Sequence, residues 1–394
     1  MDQEKKHFAF ISINKFNPNL CDGVSISMLE LLLFFKRNGK KVSIFNFFTN
    51  EPYKKYVFHS SKKYTDFDII NRQDNAYDGQ FKGIDIYQEV LPYSQNEVHE
   101  RYSKILKTII SKIQKQKIDY VFTIEDDFVS LLSVSILGIP GAHFFHSLPY
   151  VKAFIHNTLY IKFLQKRSIF AVSKFIQIKV KYLLGVNAAI WRPIINFSKY
   201  RITSKEINSN VIGFYSGGRH KGDEIINKII EKMPRCNFIV IGRNYQNQFK
   251  EIPGNLKYLG DLIDIKTFYE QIKLLLVPSV IEEAFPRVIL ETAINGIPVI
   301  ANNVGGITEA LGNSGISIDI DTTNKLNIDE IADKYIFEIN RLLNNDLEYT
   351  IYSKKALMRA KEYQIEQEKM SRYIYEKFIK TAPENPVLWT WLFT

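Results

Sequence analysis

Residues Val277–Glu309 read VPSVIEEAFPRVILETAINGIPVIANNVGGITE. With the apolar Leu274–Val277 at its start, the stretch predicts a strand, a loop carrying Glu282 and Glu283, and a helix over Arg287–Asn295. A Gly-Ile-Pro turn, a second strand at Val299–Ala301 and a Gly305-Gly306 loop complete it. Strand, helix and strand in that order form one βαβ crossover. Pro286 suits the first helical position, where its missing N–H costs nothing. The amides of Arg287 and Val288 then point out of a helix N-terminus, a ready anion site. Glu283 stands just before that end and Glu291 about one turn in, so two carboxylates bracket it. On spacing alone the pair reads equally well as a dipole-favouring Glu283 and a solvated Glu291.

The pattern extends upstream. Val211–Tyr215, Asn237–Gly242 and Leu274–Val277 read as strands, with helices at Asp223–Lys232 and Ile265–Gln271. An earlier series runs Phe8–Ile13, a helix over Ser25–Arg37 stopped by Asn38-Gly39, then Lys41–Phe48. It continues with a helix at Tyr102–Gln116, a strand at Tyr120–Ile124, a helix at Phe128–Leu137 and a strand at Ala142–Phe145. Residues 60–97 are polar with weak periodicity and read as an irregular insertion. Two alternating series predict an α/β protein of two Rossmann-like, doubly wound domains. The expected boundaries are 1–200 and 201–365. A helical tail over 366–394, closing in Trp389–Phe393, is expected to pack back on the N-terminal domain.

The chain has 394 residues, 45% hydrophobic and 24% charged, which suits two globular domains rather than a disordered chain. Its net charge of +10 favours phosphates, nucleic acid or an anionic membrane surface as partners. Two cysteines, Cys21 and Cys236, exclude a disulfide framework and a Cys-cluster metal site. No apolar run reaches the length of a membrane span, so a soluble cytoplasmic chain is expected. Walker A, HExxH, G-x-S-x-G and GxGxxG patterns are absent. Asp126-Asp127 and Asp319-Ile320-Asp321 lack the context of a metal–nucleotide site.

Upstream of the quoted stretch, Val211–Gly222 reads VIGFYSGGRHKG. A strand entering Gly217-Gly218 sets Arg219 and Lys221 at the carboxyl end of a parallel sheet, where such sheets bind ligands. Arg offers a forked phosphate contact and Lys a point charge. In the first half, Gly23 precedes a helix and would let backbone approach a ligand. His143 and His146, in HFFHS at a strand end, read as structural histidines or as site groups. Asp126 and Asp127 suit capping of the following helix or contact with an acceptor.

The pattern PSxxEExF…LExxxxGxPVIAxxxGGxxE over Pro278–Glu309 resembles the donor-site signature of retaining GT-B glycosyltransferases of the family-4 type. That resemblance implies two domains facing a cleft. It implies that Glu283 contacts the transferred sugar, that Glu291 holds the nucleoside ribose and that the amides of Arg287 and Val288 hold the diphosphate. Phe285-Pro286 stands where the family has Phe-Gly, which removes one amide; Arg287 offsets it by charge. Arg219 and Lys221 are similar to the family's Gly-Arg…Lys-Gly diphosphate element, with only His220 between them. The Leu259–Asp261 loop with Leu262 matches the nucleobase contact, Ile169–Asn196 the closing element of the first domain, and Asp22-Gly23 a Gly-rich loop. His146 falls where the family carries a histidine near the reacting sugar. The implied co-substrate is a UDP- or GDP-linked sugar, no metal is required, and the acceptor is a hydroxyl of a glycan or lipid-linked molecule. Two other readings stay open: a degenerate transferase-like subunit or glycan-binding partner, and a GT-B sugar-nucleotide epimerase. Arg101, Lys104, Lys107, Lys112, Lys115 and Lys117, with Lys162, Lys166, Arg167, Lys174, Lys179 and Lys181, carry much of the remaining charge. They read as a solvated face or as a peripheral membrane contact. Nucleic acid is not expected, because no basic–aromatic stacking module is present.

Overall fold

A computed structural model describes residues 6–13, 23–48, 67–73, 76–90, 98–125, 127–149, 158–203, 210–242, 245, 252–260, 264–322 and 326–380. The chain divides into two compact units, residues 1–194 with 367–394, and residues 195–366.

The first unit is built on β1 (His7–Ile13), α1 (Gly23–Arg37), β2 (Lys41–Phe48), β3 (Phe67–Gln73), β4 (Ala76–Phe81), β5 (Ile84–Val90), α2 (Val98–Gln116) and β6 (Tyr120–Ile124). It continues with α3 (Phe128–Ile136), β7 (Gly141–Phe145), α4 (Thr158–Gln165), β8 (Ser168–Ala171), α5 (Lys174–Leu184) and β9 (Ala189–Ile190). Its sheet has the order β3-β4-β5-β2-β1-β6-β7-β8-β9, parallel from β5 to β9. Ile105, Ile109 and Ile113 recur every four residues along α2 and bury against Ala9, Ile11, Phe45 and Phe47, as an amphipathic helix over a sheet requires. The other face is aromatic. Phe8, Phe35, Phe122 and Tyr120 pack with one another and with Tyr375 and Phe378 of the C-terminal helix.

The irregular insertion expected over 60–97 is overturned within its described part: β3, β4 and β5 form an antiparallel meander that extends the parallel sheet at one edge. Lys82 and Gly83 join β4 to β5 with φ of 49° and 70°. Positive φ at both central residues is the type I′ geometry that matches strand twist. Lys-Gly was the local signal, masked by the polar residues of the strands on either side.

The second unit comprises β10 (Val211–Tyr215), α6 (Asp223–Lys232), β11 (Asn237–Ile241), β12 (Leu256–Gly260), α7 (Lys266–Gln271), β13 (Leu274–Val277), α8 (Arg287–Ala293), β14 (Val299–Asn302), α9 (Ile307–Leu311), β15 (Ile316–Ile318) and α10 (Ile328–Leu343). All six strands are parallel in the order β12-β11-β10-β13-β14-β15. Ile225, Ile226, Ile229 and Ile230 of α6 meet Tyr335, Ile339 and Leu342 of α10 in its core. A last helix, α11 (Asp346–Lys380), runs from this unit into the first. No helix of the described residues is long and apolar enough to cross a membrane.

Polar groups in the second core are paired in series. The Tyr335 hydroxyl donates to Asn302 Oδ1 at 3.0 Å, and Asn302 Nδ2 donates to the Ser279 carbonyl at 3.1 Å. Tyr335→Phe removes the only oxygen-borne proton of that chain and strands a buried acceptor. Urea unfolding is expected to show a loss of about 1–3 kcal/mol, whereas an unchanged midpoint would mean that Asn302 finds another donor.

Candidate functional site

Three loops leave the carboxyl ends of β10, β13 and β14 and lock together. The first turns through Gly218 and Gly222, at φ of 95° and 88°, around a 3₁₀ turn over Arg219–Lys221. A Cβ at Gly222 would stand 2.1 Å from the Pro278 carbonyl oxygen, so this approach and its backbone conformation both require glycine. The Val280 N–H donates to the His220 carbonyl at 3.0 Å. The loops after β13 and β14 meet through a bridge between Glu283 and Gly305, and Gly306 N–H donates to the Glu283 carbonyl at 2.6 Å.

These contacts aim the side chains. Ser279 Oγ donates to Glu283 Oε1 at 2.6 Å, and the Lys221 ammonium donates to the same oxygen. Lys221 and Glu283 are therefore brought together. Arg219 is not: its side chain is 85% exposed and pairs with Glu224 at 2.6 Å. The 3₁₀ turn points its first cation outward and its third inward.

Pro286 is the residue before α8 rather than its first helical position, with ψ of 106°. An extended backbone there carries the loop straight into Arg287, whose amide and that of Val288 occupy the first turn, where no carbonyl lies one turn back. Phe285 is buried and stacks on Tyr363, ring centres 5.6 Å apart. Arg287 is also buried; its Nε lies 3.4 Å from Glu291 Oε1, one turn on. Tyr269 donates to Glu291 Oε2 at 3.2 Å. The Tyr200 phenol interacts electrostatically with both Arg287 and Glu291. Burial, reinforced by the Glu291 charge, pushes the Tyr269 and Tyr200 phenols well above their usual range, so both stay protonated donors. Sequence spacing linked Glu291 to Arg287; the tyrosines come from α7 and from a segment ninety residues away, beyond any local pattern.

His146, in the first unit, sits at the end of β7 with its edge toward Trp191, ring centres 5.3 Å apart. Its Nδ1 is 3.6 Å from Glu125 Oε1, which also accepts the His146 backbone N–H at 2.6 Å. Glu125 Oε2 accepts the Ser147 hydroxyl at 2.6 Å. Glu125 is buried and has φ of 51°, a left-handed conformation that no sequence pattern announced. Asp127 caps α3, accepting the Ser130 N–H at 3.1 Å. Gly23 is the exposed first residue of α1, its carbonyl accepting the Ser27 hydroxyl at 2.5 Å. Leu262, Asp22, Asp126 and Trp389–Phe393 lie outside the described residues.

Residues 222–345, which carry Glu283, Arg287 and Glu291, match the family model described as Glycosyl transferases group 1. The fold is that of GT-B glycosyltransferases. A glycosyltransferase from Rickettsia africae superposes with a TM-score of 0.71, covering 96% of this chain and 100% of that one at 17% identity. HepE of Anabaena, solved with UDP-glucose, gives 0.67 over 95% and 100% of the two chains at 14% identity. An uncharacterised 41.2 kDa protein in the cps region of Klebsiella pneumoniae is 29% identical over 141 residues. That match spans 34% of this chain and 38% of the relative's length.

His143 differs from His146 in being sealed. Thr123 Oγ1 lies 2.8 Å from its Nδ1, and burial, helped by the Arg167 and His146 charges, lowers its pKa from 6.5 to about 3. The unfolded chain therefore takes up this proton first. Stability is full above pH 6.5 and falls on acidification toward 3. Urea unfolding across a pH series is expected to lose up to about 1.4 kcal/mol per pH unit from this group. His143→Asn is expected to flatten the slope; an unaltered slope would assign it to other groups.

Proposed function

We propose that the protein transfers a sugar, with retention of configuration, from a nucleotide-sugar donor to a hydroxyl of a glycan or lipid-linked acceptor. The observation that carries this is the convergence of Lys221, Ser279 and Glu283 at the carboxyl ends of β10 and β13, beside the start of α8, with Ser279 and Glu283 inside the segment that matches the family model. The HepE structure, alike in fold, holds UDP-glucose, which supports a UDP-linked donor here.

Lys221 supplies a mobile positive charge, half exposed beside Glu283, to the departing diphosphate. The first amides of α8 add partial positive charge at the same end. Pro286 offers no amide, so the share borne by Lys221 is larger. Glu283, fixed by Ser279, accepts hydroxyls of the transferred sugar and faces the positive charge that grows at its anomeric carbon as the glycosidic bond breaks. The acceptor oxygen attacks from the face the diphosphate leaves, and its proton passes to the leaving phosphate oxygen. Arg219 reaches the donor only by leaving Glu224. Arg287 acts through Glu291, and His146 hydrogen-bonds the sugar or acceptor. No metal takes part in this scheme.

A panel of UDP-, GDP-, ADP- and dTDP-sugars, read by nucleotide release with and without glycan acceptors, tests the reading. Glu283→Ala is expected to lower turnover by roughly a hundredfold or more, and Lys221→Met to weaken donor binding by roughly ten- to a hundredfold. Full turnover in Glu283→Ala would sink the assignment. The exposed Arg219–Glu224 pair and the missing Pro286 amide favour, as the second reading, a binding subunit that holds the nucleotide without turnover; calorimetry positive for nucleotide with no release from any donor would select it.

Peripheral membrane contact belongs to the same proposal. On α5, Lys174, Ile178, Lys181 and Tyr182 form one exposed face, with Ile178 56% and Tyr182 84% accessible, the cation-and-apolar mixture of an interfacial helix. Lys104 and Lys112 of α2 are instead paired with Glu89 and Asp78. Co-sedimentation with anionic but not neutral vesicles at low salt is expected, and is expected to fall in Ile178→Ser/Tyr182→Ser; equal recovery from both vesicle types would end the idea.

A further inference from the structure

We infer that Arg359 and Tyr363 of α11 are positioning residues that brace the loop carrying Glu283, and so fix the carboxylate that meets the reacting sugar. This rests on the transferase reading above and adds to it two residues that touch no ligand.

The brace reaches the loop by two routes. The first runs through α9. A helix leaves its last four carbonyls without partners of its own, and in α9 these belong to Thr308, Glu309, Ala310 and Leu311. Two are met locally: Thr308 by the Gly312 N–H at 2.8 Å, and Leu311 by the Ser314 N–H at 3.0 Å. Arg359 takes the other two. Its Nε donates to the Ala310 carbonyl and its Nη2 to the Glu309 carbonyl, both at 3.1 Å. Its Nη1 donates to Glu366 Oε1 at 3.1 Å, two turns along its own helix. Arg359 is 8% exposed, so water has little room to take its place. Held at this end, α9 presents at its other end the Gly306 N–H that donates to the Glu283 carbonyl.

The second route is aromatic. The Arg359 guanidinium lies over the Tyr363 ring, 5.7 Å from its centre. Tyr363 is fully buried and stacks on Phe285, two residues past Glu283. The loop is therefore gripped at the main chain of Glu283 and again at the side chain of Phe285. A guanidinium suits this place because its planar fork meets two neighbouring carbonyls while its face covers a ring; an ammonium is a point charge without the fork. Among the described residues Arg359 bonds only α9 and its own helix, not Lys221 or α8. Its loss therefore moves Glu283 and spares the cation and amides assigned to the diphosphate.

The test separates turnover from binding on the full-length protein. In Arg359→Lys and Arg359→Met, kcat for nucleotide release from the sugar-nucleotide panel is expected to fall by roughly ten- and a hundredfold, the cost of a misplaced catalytic group. Calorimetric affinities for UDP, GDP and ADP are expected to stay at their wild-type values. Tyr363→Leu, which cuts the second route, is expected to lower kcat as well. Amide exchange is expected to quicken over residues 306–311 in both Arg359 variants while α6 and α10 keep their protection. Wild-type kcat in Arg359→Met, or unchanged exchange over 306–311, overturns the inference and leaves the transferase reading standing. Equal losses of affinity and turnover, with α6 and α10 deprotected, make Arg359 a residue of stability alone and overturn it too. A wild-type protein that releases nucleotide from no donor overturns the transferase reading, and the positioning role with it.

Discussion

Two loops of the second unit meet backbone to backbone, the Gly306 N–H on the Glu283 carbonyl at 2.6 Å, and the candidate site depends on that closeness. A Cβ on residue 306 would stand 1.9 Å from the Ala284 oxygen, and one on residue 305 would stand 2.5 Å from the Glu283 oxygen. Only glycines permit it. Because the main chain of Glu283 is clamped from β14, its side chain has little freedom to search, and Ser279 and Lys221 find it in one place. Preorganisation of this kind puts the ordering cost into folding rather than into ligand binding.

The two glutamates of the signature then occupy different electrostatic worlds. Glu283 shares one oxygen between a hydroxyl and an ammonium whose side chain is 37% exposed. That partner can swing away on its flexible stem when a stronger anion arrives. Glu291 is enclosed by a planar guanidinium and two phenols on three separate elements. Its partners cannot move without disturbing the core, since Arg287, Tyr269 and Tyr200 are all buried. One carboxylate is adjustable and the other rigid, which suits groups that respectively follow a reacting centre and hold a spectator part of the ligand.

Much of the fold was legible because parallel α/β units advertise themselves by period. The strands at Lys41–Phe48, Tyr120–Ile124 and Leu274–Val277 and the helix at Asp223–Lys232 have the boundaries their apolar runs suggested. The meander of β3, β4 and β5 did not show, because FDIINRQ, AYDGQF and IDIYQEV mix Asp, Asn, Gln and Glu among their apolar residues and keep no clean period. The site was partly legible for a related reason. Lys221 and Glu283 sit in Gly-marked loops whose spacing speaks of strand ends, whereas the outward turn of Arg219 depends on a 3₁₀ turn that leaves no trace in composition. Glu125, Tyr200 and Tyr269 were invisible: each matters through a partner brought near by the sheet rather than by the chain.

The last helix bears on how such a chain is made. The second unit is one uninterrupted segment, 195–366, but the first needs residues from 367 onward. Tyr375 and Phe378 complete its aromatic face, and Lys6 donates to the carbonyls of Phe378 and Ile379 at 3.1 and 3.0 Å. During translation β1 therefore waits for the end of α11, while the second unit between them can finish first. Until the end of α11 emerges, Phe8, Phe35 and Phe122 lack their cover, the kind of transient apolar surface on which chaperones act. A chain cut short before α11 ends would carry a finished second unit beside an unfinished first.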